Sequence, residues 1–297
     1  MCARVPDFDV EPQVLRTTFA LIVMLTLAAG AAAAPGKQTQ QLIFPVVGTT
    51  TYTDDFGDAR AGGTHEGIDI VAARRSPAVA AEAGTVELWT TSARAGCMLY
   101  LHGRSGTTYL YIHLNNDLTT HNDNRGKCVA GTAYAPGLKT GTRVAAGELV
   151  GFVGDSGDAN GIHPHLHFEV HPNNGAAVDP YPFLQKAQPL LFYAKRGTTV
   201  SVSLTGTIVS SLGGVLELKA SAAQLGSSKP MTIRRTLALS VAPDAVVTSM
   251  LPGGIGGLTA LQRGLPAKVY TSPVRATLAA ARGDDNMLTA SQIVIGG

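Results

Sequence analysis

The chain is 297 residues long, enough for one large or two modest domains with buried cores. With 45% apolar and only 15% charged residues it is not a disordered polymer. A formal net charge of +2 is too small for a nucleic-acid footprint, so no nucleic-acid partner is expected. Its 34 glycines are scattered rather than periodic; beside runs of Val, Thr and Tyr they predict many short strands joined by tight turns.

In chain order, the first feature is the apolar run Thr17 to Ala34, TTFALIVMLTLAAGAAAA. Arg16 precedes it and small residues close it, the layout of a secretory signal peptide. A transmembrane anchor is the competing reading. About 18 apolar residues with an alanine-rich end and no basic stop-transfer cluster make a poor span. Residues 1–34 are therefore expected to direct export. Cleavage should fall between Ala31 and Ala34, after Ala33 rather than against Pro35, and leave a mature chain free of the membrane. Asp7, Asp9 and Glu11 are unusual ahead of such a segment and fit a start codon placed too early.

Beyond it remain two cysteines, Cys97 and Cys128. In an oxidising compartment an even pair reads as a disulfide, whereas two metal ligands would normally show CxxC spacing. From Leu42 to about Leu184 the chain is strand-like. Strands are expected at Val79 to Trp89, Met98 to His102, Thr107 to Leu114, Glu148 to Val153 and His165 to Val170. The polar stretch from Asn115 to Val144, which contains Cys128, reads as a long surface loop. A second segment from about Lys195 alternates apolar and small polar residues. It predicts strands at Thr199 to Leu204, Val215 to Lys219, Thr236 to Val241, Ala267 to Tyr270 and Ala290 to Ile295. Five strands in about 100 residues suggest a small barrel or sandwich.

All eight histidines lie between His65 and His171. In Thr64-His-Glu-Gly-Ile-Asp-Ile70, an imidazole and a carboxylate four residues apart are good zinc ligands, and Gly67 would let the backbone bend so that both converge. A plain His–Asp hydrogen bond is the alternative. In Pro164-His-Leu-His-Phe-Glu-Val170, residues two apart on a strand share a face, so His165 and His167 enter one site while Leu166 and Phe168 enter the core. In Tyr109-Leu-Tyr-Ile-His-Leu114 the alternation lets His113 reach the same face, although a core histidine is the blander reading. Glu169 alternates with the histidines and could hydrogen-bond a ligand. His102, His121, His163 and His171 read as strand-end, loop or surface residues, and Glu82 and Asp179 as surface or turn carboxylates.

HxGxD, a YxHL strand and a later HLHFE strand, in that order, resemble the lysostaphin-type (LytM-like) peptidoglycan zinc metallopeptidases. Phe44-Pro-Val-Val47, Phe56-Gly-Asp-Ala-Arg60, Val79-Ala-Ala with Gly84-Thr-Val, and Gly151-Phe-Val-Gly-Asp-Ser-Gly157 extend the resemblance over about Phe44 to Leu184. It implies one zinc held by His65, Asp69 and His167, with His113 and His165 as a catalytic pair free of the metal. Two histidines and one carboxylate leave zinc an open position for water, as catalytic sites do. His165 would act as base, and His113 would stabilise the oxyanion or help protonate the leaving amine.

The expected architecture is all-β: a metallopeptidase domain over residues 35–190, antiparallel strands forming a groove with zinc on its floor, then a small OB-like barrel over 195–297. The expected function is a secreted, monomeric zinc endopeptidase acting on stem or cross-link peptides of peptidoglycan. Two alternatives are a non-catalytic wall-binding or regulatory module that keeps the peptidase fold, and a zinc enzyme for another substrate, such as an amidase or an extracellular protein peptidase. Neither the substrate bond nor the role of the last 100 or so residues follows from sequence.

Overall fold

A computed structural model describes residues 1, 41–254, 256–285 and 287–296. The expected signal segment lies outside the described residues. From residue 41 onward the chain forms one compact unit built almost wholly from antiparallel strands.

The first part is organised by a seven-stranded sheet. Its long members are β1 (Ile68–Ala72), β2 (Gly84–Ser92), β3 (Gly96–Gly103), β4 (Thr107–Leu114) and β5 (His165–Pro172). Thr50–Thr51 flanks β1, the order then runs β1, β5, β4, β3, β2, and Arg143–Val144 closes the far edge. Because side chains alternate across a strand, each member divides between a core face and a groove face. Ile68 and Ile70, Leu166 and Phe168, Tyr109 and Tyr111, and Leu99 and Leu101 are almost fully buried. Each such large side chain contributes roughly 1.5–3 kcal/mol by leaving water. The Tyr111 hydroxyl is satisfied inside this core: it donates to the Val79 carbonyl at 2.9 Å and accepts from Ala81 N–H at 2.8 Å.

The second part is a closed five-stranded barrel of β6 (Val202–Leu212), β7 (Val215–Leu225), β8 (Met231–Ser249), β9 (Pro266–Thr271) and β10 (Thr289–Ile295). The order is β6-β7-β8-β10-β9, returning to β6, with β8 and β10 parallel and the other pairs antiparallel. Closure removes the free edges that a sandwich of these strands would expose. Ile43, Val47 and Val79 from the first part pack into the same cluster as Leu204, Ile208, Leu237 and Ile293 of the barrel.

Three expectations need correction. Val79 to Trp89 is not one strand: Pro77–Val79 pairs with Leu149–Phe152, and β2 begins only at Gly84. Asn115 to Val144 is not all surface loop. Tyr134 within it is fully buried and its hydroxyl donates to the Trp89 and Met98 carbonyls at 2.9 and 3.0 Å. Glu82 is not a surface carboxylate but is 1% exposed. It accepts from the Ser105 N–H and hydroxyl and the Tyr109 hydroxyl, the partners that make its burial tolerable. Cys97 on β3 is bridged to Cys128, with 5.1 Å between their Cα atoms.

Candidate metal centre and active site

Register builds the centre. Asp69 on β1 lies directly opposite His167 on β5, and side chains opposite one another in an antiparallel pair share a face. Their chain neighbours Ile68, Ile70, Leu166 and Phe168 fill the core, so these two polar side chains enter the groove. His65, two residues ahead of Gly67, folds over the same spot. Its Nε2 lies 2.9 Å from His167 Nδ1 and 3.1 Å from Asp69 Oδ1, and His167 Nδ1 is 3.1 Å from that same oxygen. His165 Nε2 is 3.6 Å from it.

Gly67 works differently from expectation. Its backbone is not in the left-handed region; instead, a Cβ there would sit 2.6 Å from His167 Nε2 and 2.7 Å from the Phe168 carbonyl oxygen. Glycine is required by the close approach of β5, not by a bend.

His113 also arrives by an unexpected route. Simple alternation would put it on the core face with Tyr109 and Tyr111. Between Tyr111 and Leu114 the β3–β4 register shifts, and His113 adopts a left-handed backbone with φ 61°. This bulge re-aims the ring into the groove, a common use of bulges beside reactive sites. The His113 and His165 rings then lie 5.0 Å apart, centre to centre.

Each ring is locked by one nitrogen. A carbonyl oxygen only accepts, so Nδ1 of His65 donates to Asp55 O at 2.8 Å, Nδ1 of His113 to Ser156 O at 2.8 Å, and Nδ1 of His165 to His163 O at 3.1 Å. His167 is turned the other way, with Nε2 3.0 Å from Glu169 Oε1. These anchors turn Nε2 of His65, His113 and His165, and Nδ1 of His167, toward the groove. Arg60 Nη2 completes the surround, donating to Asp69 Oδ2 at 3.0 Å and Asp55 Oδ2 at 3.1 Å.

The donor set fits a divalent cation. His65 Nε2, His167 Nδ1 and Asp69 Oδ1 are three possible ligand atoms close together, the only His/Cys/Asp/Glu cluster of metal-binding geometry among the described residues. Mixed nitrogen and carboxylate ligands, two histidines to one acid, suit zinc. The spot attracts positive charge in any case. Burial opposes a charged His167, yet its hydrogen bonds to Asp69 and Glu169 prevail and hold its pKa up at about 9. Burial likewise opposes ionisation of Asp69, but hydrogen bonding to His167 and His65 keeps its carboxyl well below the usual range. The two rings outside the set behave oppositely. Burial, reinforced by His165, pushes His113 down to about 4, and burial lowers His165 too, so both stay neutral at pH 7.

These groups line a cleft of about 710 Å³ whose walls include Arg94, Ile112, Asp158 and Ile162. Of the remaining histidines, His121 is exposed and His102 pairs with Glu87 at 3.1 Å, while the exposed His163 borders the site, its carbonyl anchoring His165 and its ring 6.2 Å from the His165 ring. His171 reaches the site only through Glu169. Sequence reasoning missed Asp55 and Arg60 as parts of the centre. Asp55 orients His65 through its main-chain carbonyl, which leaves no mark in its side-chain type. Arg60 stood within a noted motif without an assigned role.

Residues 63–180 match Peptidase family M23. Among curated proteins, the chain is 30% identical over 152 residues to an L-Ala--D-Glu endopeptidase of Bacillus subtilis. That match takes in 48% of this chain and 41% of the relative. It is 30% identical over 118 residues to an uncharacterized metalloprotease of Haemophilus influenzae, 39% of this chain and 20% of the relative. The chain thus spans less than half the length of either. Among solved structures, the catalytic domain of lysostaphin from Staphylococcus simulans is 26% identical, with a TM-score of 0.35 covering 46% of this chain and 92% of that one. A putative glycyl-glycine endopeptidase from Ruminococcus gnavus is 27% identical, with a TM-score of 0.39 covering 49% and 59%.

Proposed function

We propose, from the match of residues 63–180 to Peptidase family M23, that the chain is a zinc-dependent endopeptidase that hydrolyses peptide bonds in the stem or cross-link peptides of peptidoglycan. The observation that carries this reading is the convergence of three ligand atoms, from His65, Asp69 and His167, beside two further neutral imidazoles. His65, Asp69 and His167 would hold the zinc. When bound there, zinc supplies Lewis acidity, which acidifies water toward neutrality and polarises a peptide carbonyl.

The chain's own residues supply the proton handling. His165 Nε2, the lone-pair atom nearest Asp69 outside the ligand set, takes the proton of the attacking water. That proton is the one the departing amine needs when the C–N bond breaks, so acid and base form one cycle with nothing left over. His113 Nε2, the free nitrogen of a ring anchored by the Ser156 carbonyl, would accept a proton and pass it to the leaving amine. Because both rings are neutral at pH 7, both can accept a proton at the outset.

Export belongs to the same reading. The Thr17 to Ala34 segment has a signal-peptide layout, and the Cys97–Cys128 bridge suits an oxidising compartment outside the cytoplasm. The similarity to an L-Ala--D-Glu endopeptidase and the lysostaphin likeness in sequence motif favour a wall peptide over a general protein substrate.

The test is digestion of defined muropeptides by the purified chain, with the new termini identified by mass spectrometry. Cleavage at a peptide bond, lost in His167→Ala together with the zinc, is the expected result. Cleavage at the sugar–peptide amide would replace the endopeptidase reading with an amidase. Bound zinc with no cleavage of any wall fragment would replace it with a wall-binding module.

A further inference from the structure

Of the four rings at the centre, three are oriented by main-chain carbonyls, which no substitution removes. His167 alone depends on a side chain. Glu169, two residues along β5 on the same face, is 6% exposed and takes the His167 Nε2 hydrogen at 3.0 Å. His167 is also the one ring that presents Nδ1 rather than Nε2 to the ligand cluster, so a partner at Nε2 decides whether the ligand atom is open. Glu169 is itself held. His171, two residues further on the same face, lies with Nε2 2.6 Å from Glu169 Oε2, and its Nδ1 donates to the Gly175 carbonyl at 2.9 Å. Both carboxylate oxygens of Glu169 thus face a histidine nitrogen, and Oε2 accepts from His171 Nε2 when that ring carries both protons.

We infer that Glu169 and His171 form a positioning relay. His171, tied to the turn after β5, fixes the Glu169 carboxylate, and Glu169 fixes the His167 ring and tautomer with Nδ1 open to the metal. The relay runs along a single strand at two-residue spacing, His167, Glu169, His171, with Phe168 and Val170 packed into the core between its members. The pleat therefore supplies the alignment, and the core residues supply the rigidity. Partners of this kind beyond the ligands commonly change metal affinity by about 10- to 100-fold. The inference rests on the proposed zinc site.

Zinc dissociation constants measured by chelator competition on the purified chain test it, together with 15N chemical shifts of the histidine rings in the metal-depleted protein at a pH above the His167 pKa of about 9, where that ring is neutral. Glu169→Ala should weaken zinc binding about 10- to 100-fold and mix the His167 tautomers. His171→Ala should weaken it less, because Glu169 keeps its contact with His167. Glu169→Gln still presents an acceptor to His167 and should recover most of the lost affinity and the single tautomer. If Glu169→Ala fails to fold, His171→Ala and Glu169→Gln carry the comparison. Zinc affinities within twofold of wild type for folded Glu169→Ala or His171→Ala, with His167 unchanged, would overturn the relay while leaving the zinc peptidase reading intact. Failure of the wild type to bind zinc would instead overturn that reading.

Discussion

The imidazole of His113 donates from Nδ1 to the Ser156 carbonyl at 2.8 Å, and Ser156 reaches back through its hydroxyl to the Cys97 N–H and the Leu114 carbonyl. The ring is therefore fixed by backbone on both sides of the bulge, with Nε2 turned to the groove. His113→Ala removes a proton acceptor without touching a ligand. It should keep about one zinc per chain and lower kcat by about 10²- to 10⁴-fold. Metal analysis beside hydrolysis rates checks both halves; loss of zinc along with activity would show that His113 belongs to the ligand set instead.

Removal of zinc by a strong chelator should abolish hydrolysis while leaving the fold standing, because Asp69 and His167 sit on β1 and β5, whose core faces are already filled by Ile68, Ile70, Leu166 and Phe168. Circular dichroism should be nearly unchanged after chelation, and activity should return on adding zinc. Unfolding on chelation would mark a structural rather than a catalytic metal.

Gly67 offers a sharper local test. In Gly67→Ala the new Cβ meets His167 Nε2 at 2.6 Å and the Phe168 carbonyl oxygen at 2.7 Å, and a backbone oxygen cannot step aside cheaply. A destabilisation of about 1–3 kcal/mol is expected, with weakened zinc binding because His167 is pushed from Glu169. Denaturant midpoints and zinc titration measure the two effects separately.

How far the sequence could be read depended on whether a residue's role follows from strand periodicity. The spacing of His165 and His167, with Leu166 between them, states which side each faces, and the structure agrees because β5 is regular there. His113 obeys no such rule. A register shift opposite Met98 turns it from the core to the groove, and a single sequence gives no period by which to anticipate a bulge. Glu82 and Tyr134 looked like surface residues because polar groups are usually exposed; only their partners, distant in sequence, show why they are buried. The barrel strands were visible as alternation, and a barrel was the expected form, but alternation alone serves a sandwich equally well.

Cys97 lies on β3 and Cys128 in the segment that leads to the buried Tyr134, 31 residues apart in sequence. Closing a loop of that size should stabilise the fold by about 3–4 kcal/mol. Cys97→Ser with Cys128→Ser should lower the denaturant midpoint accordingly. Intact mass should rise by two hydrogens when the unmodified protein is reduced. A mass unchanged by reduction would show two free thiols.

Asp155 immediately precedes Ser156, and it is anchored by the most buried ion cluster of the described residues. Arg74 donates from Nη1 to Asp155 Oδ1 at 2.5 Å and from Nη2 to Oδ2 at 2.9 Å, and it also contacts Asp117. Both carboxylates are fully buried. Asp117 has further support from the N–H groups of Asp123 and Asn124 at 2.6 and 2.7 Å, whereas Asp155 leans on the guanidinium. Replacing Arg74 by Leu would strand charge in the interior, at a cost of about 3–5 kcal/mol. Arg74→Lys restores the charge but not the planar fork, so it should recover only part of the loss. Because Asp155 holds the segment that carries Ser156, the same variants should loosen His113 and lower kcat more than they weaken zinc binding. Chemical denaturation, zinc affinity and turnover measured on all three proteins test that order, and a fall in zinc affinity as large as the fall in kcat would place the effect at the ligands instead.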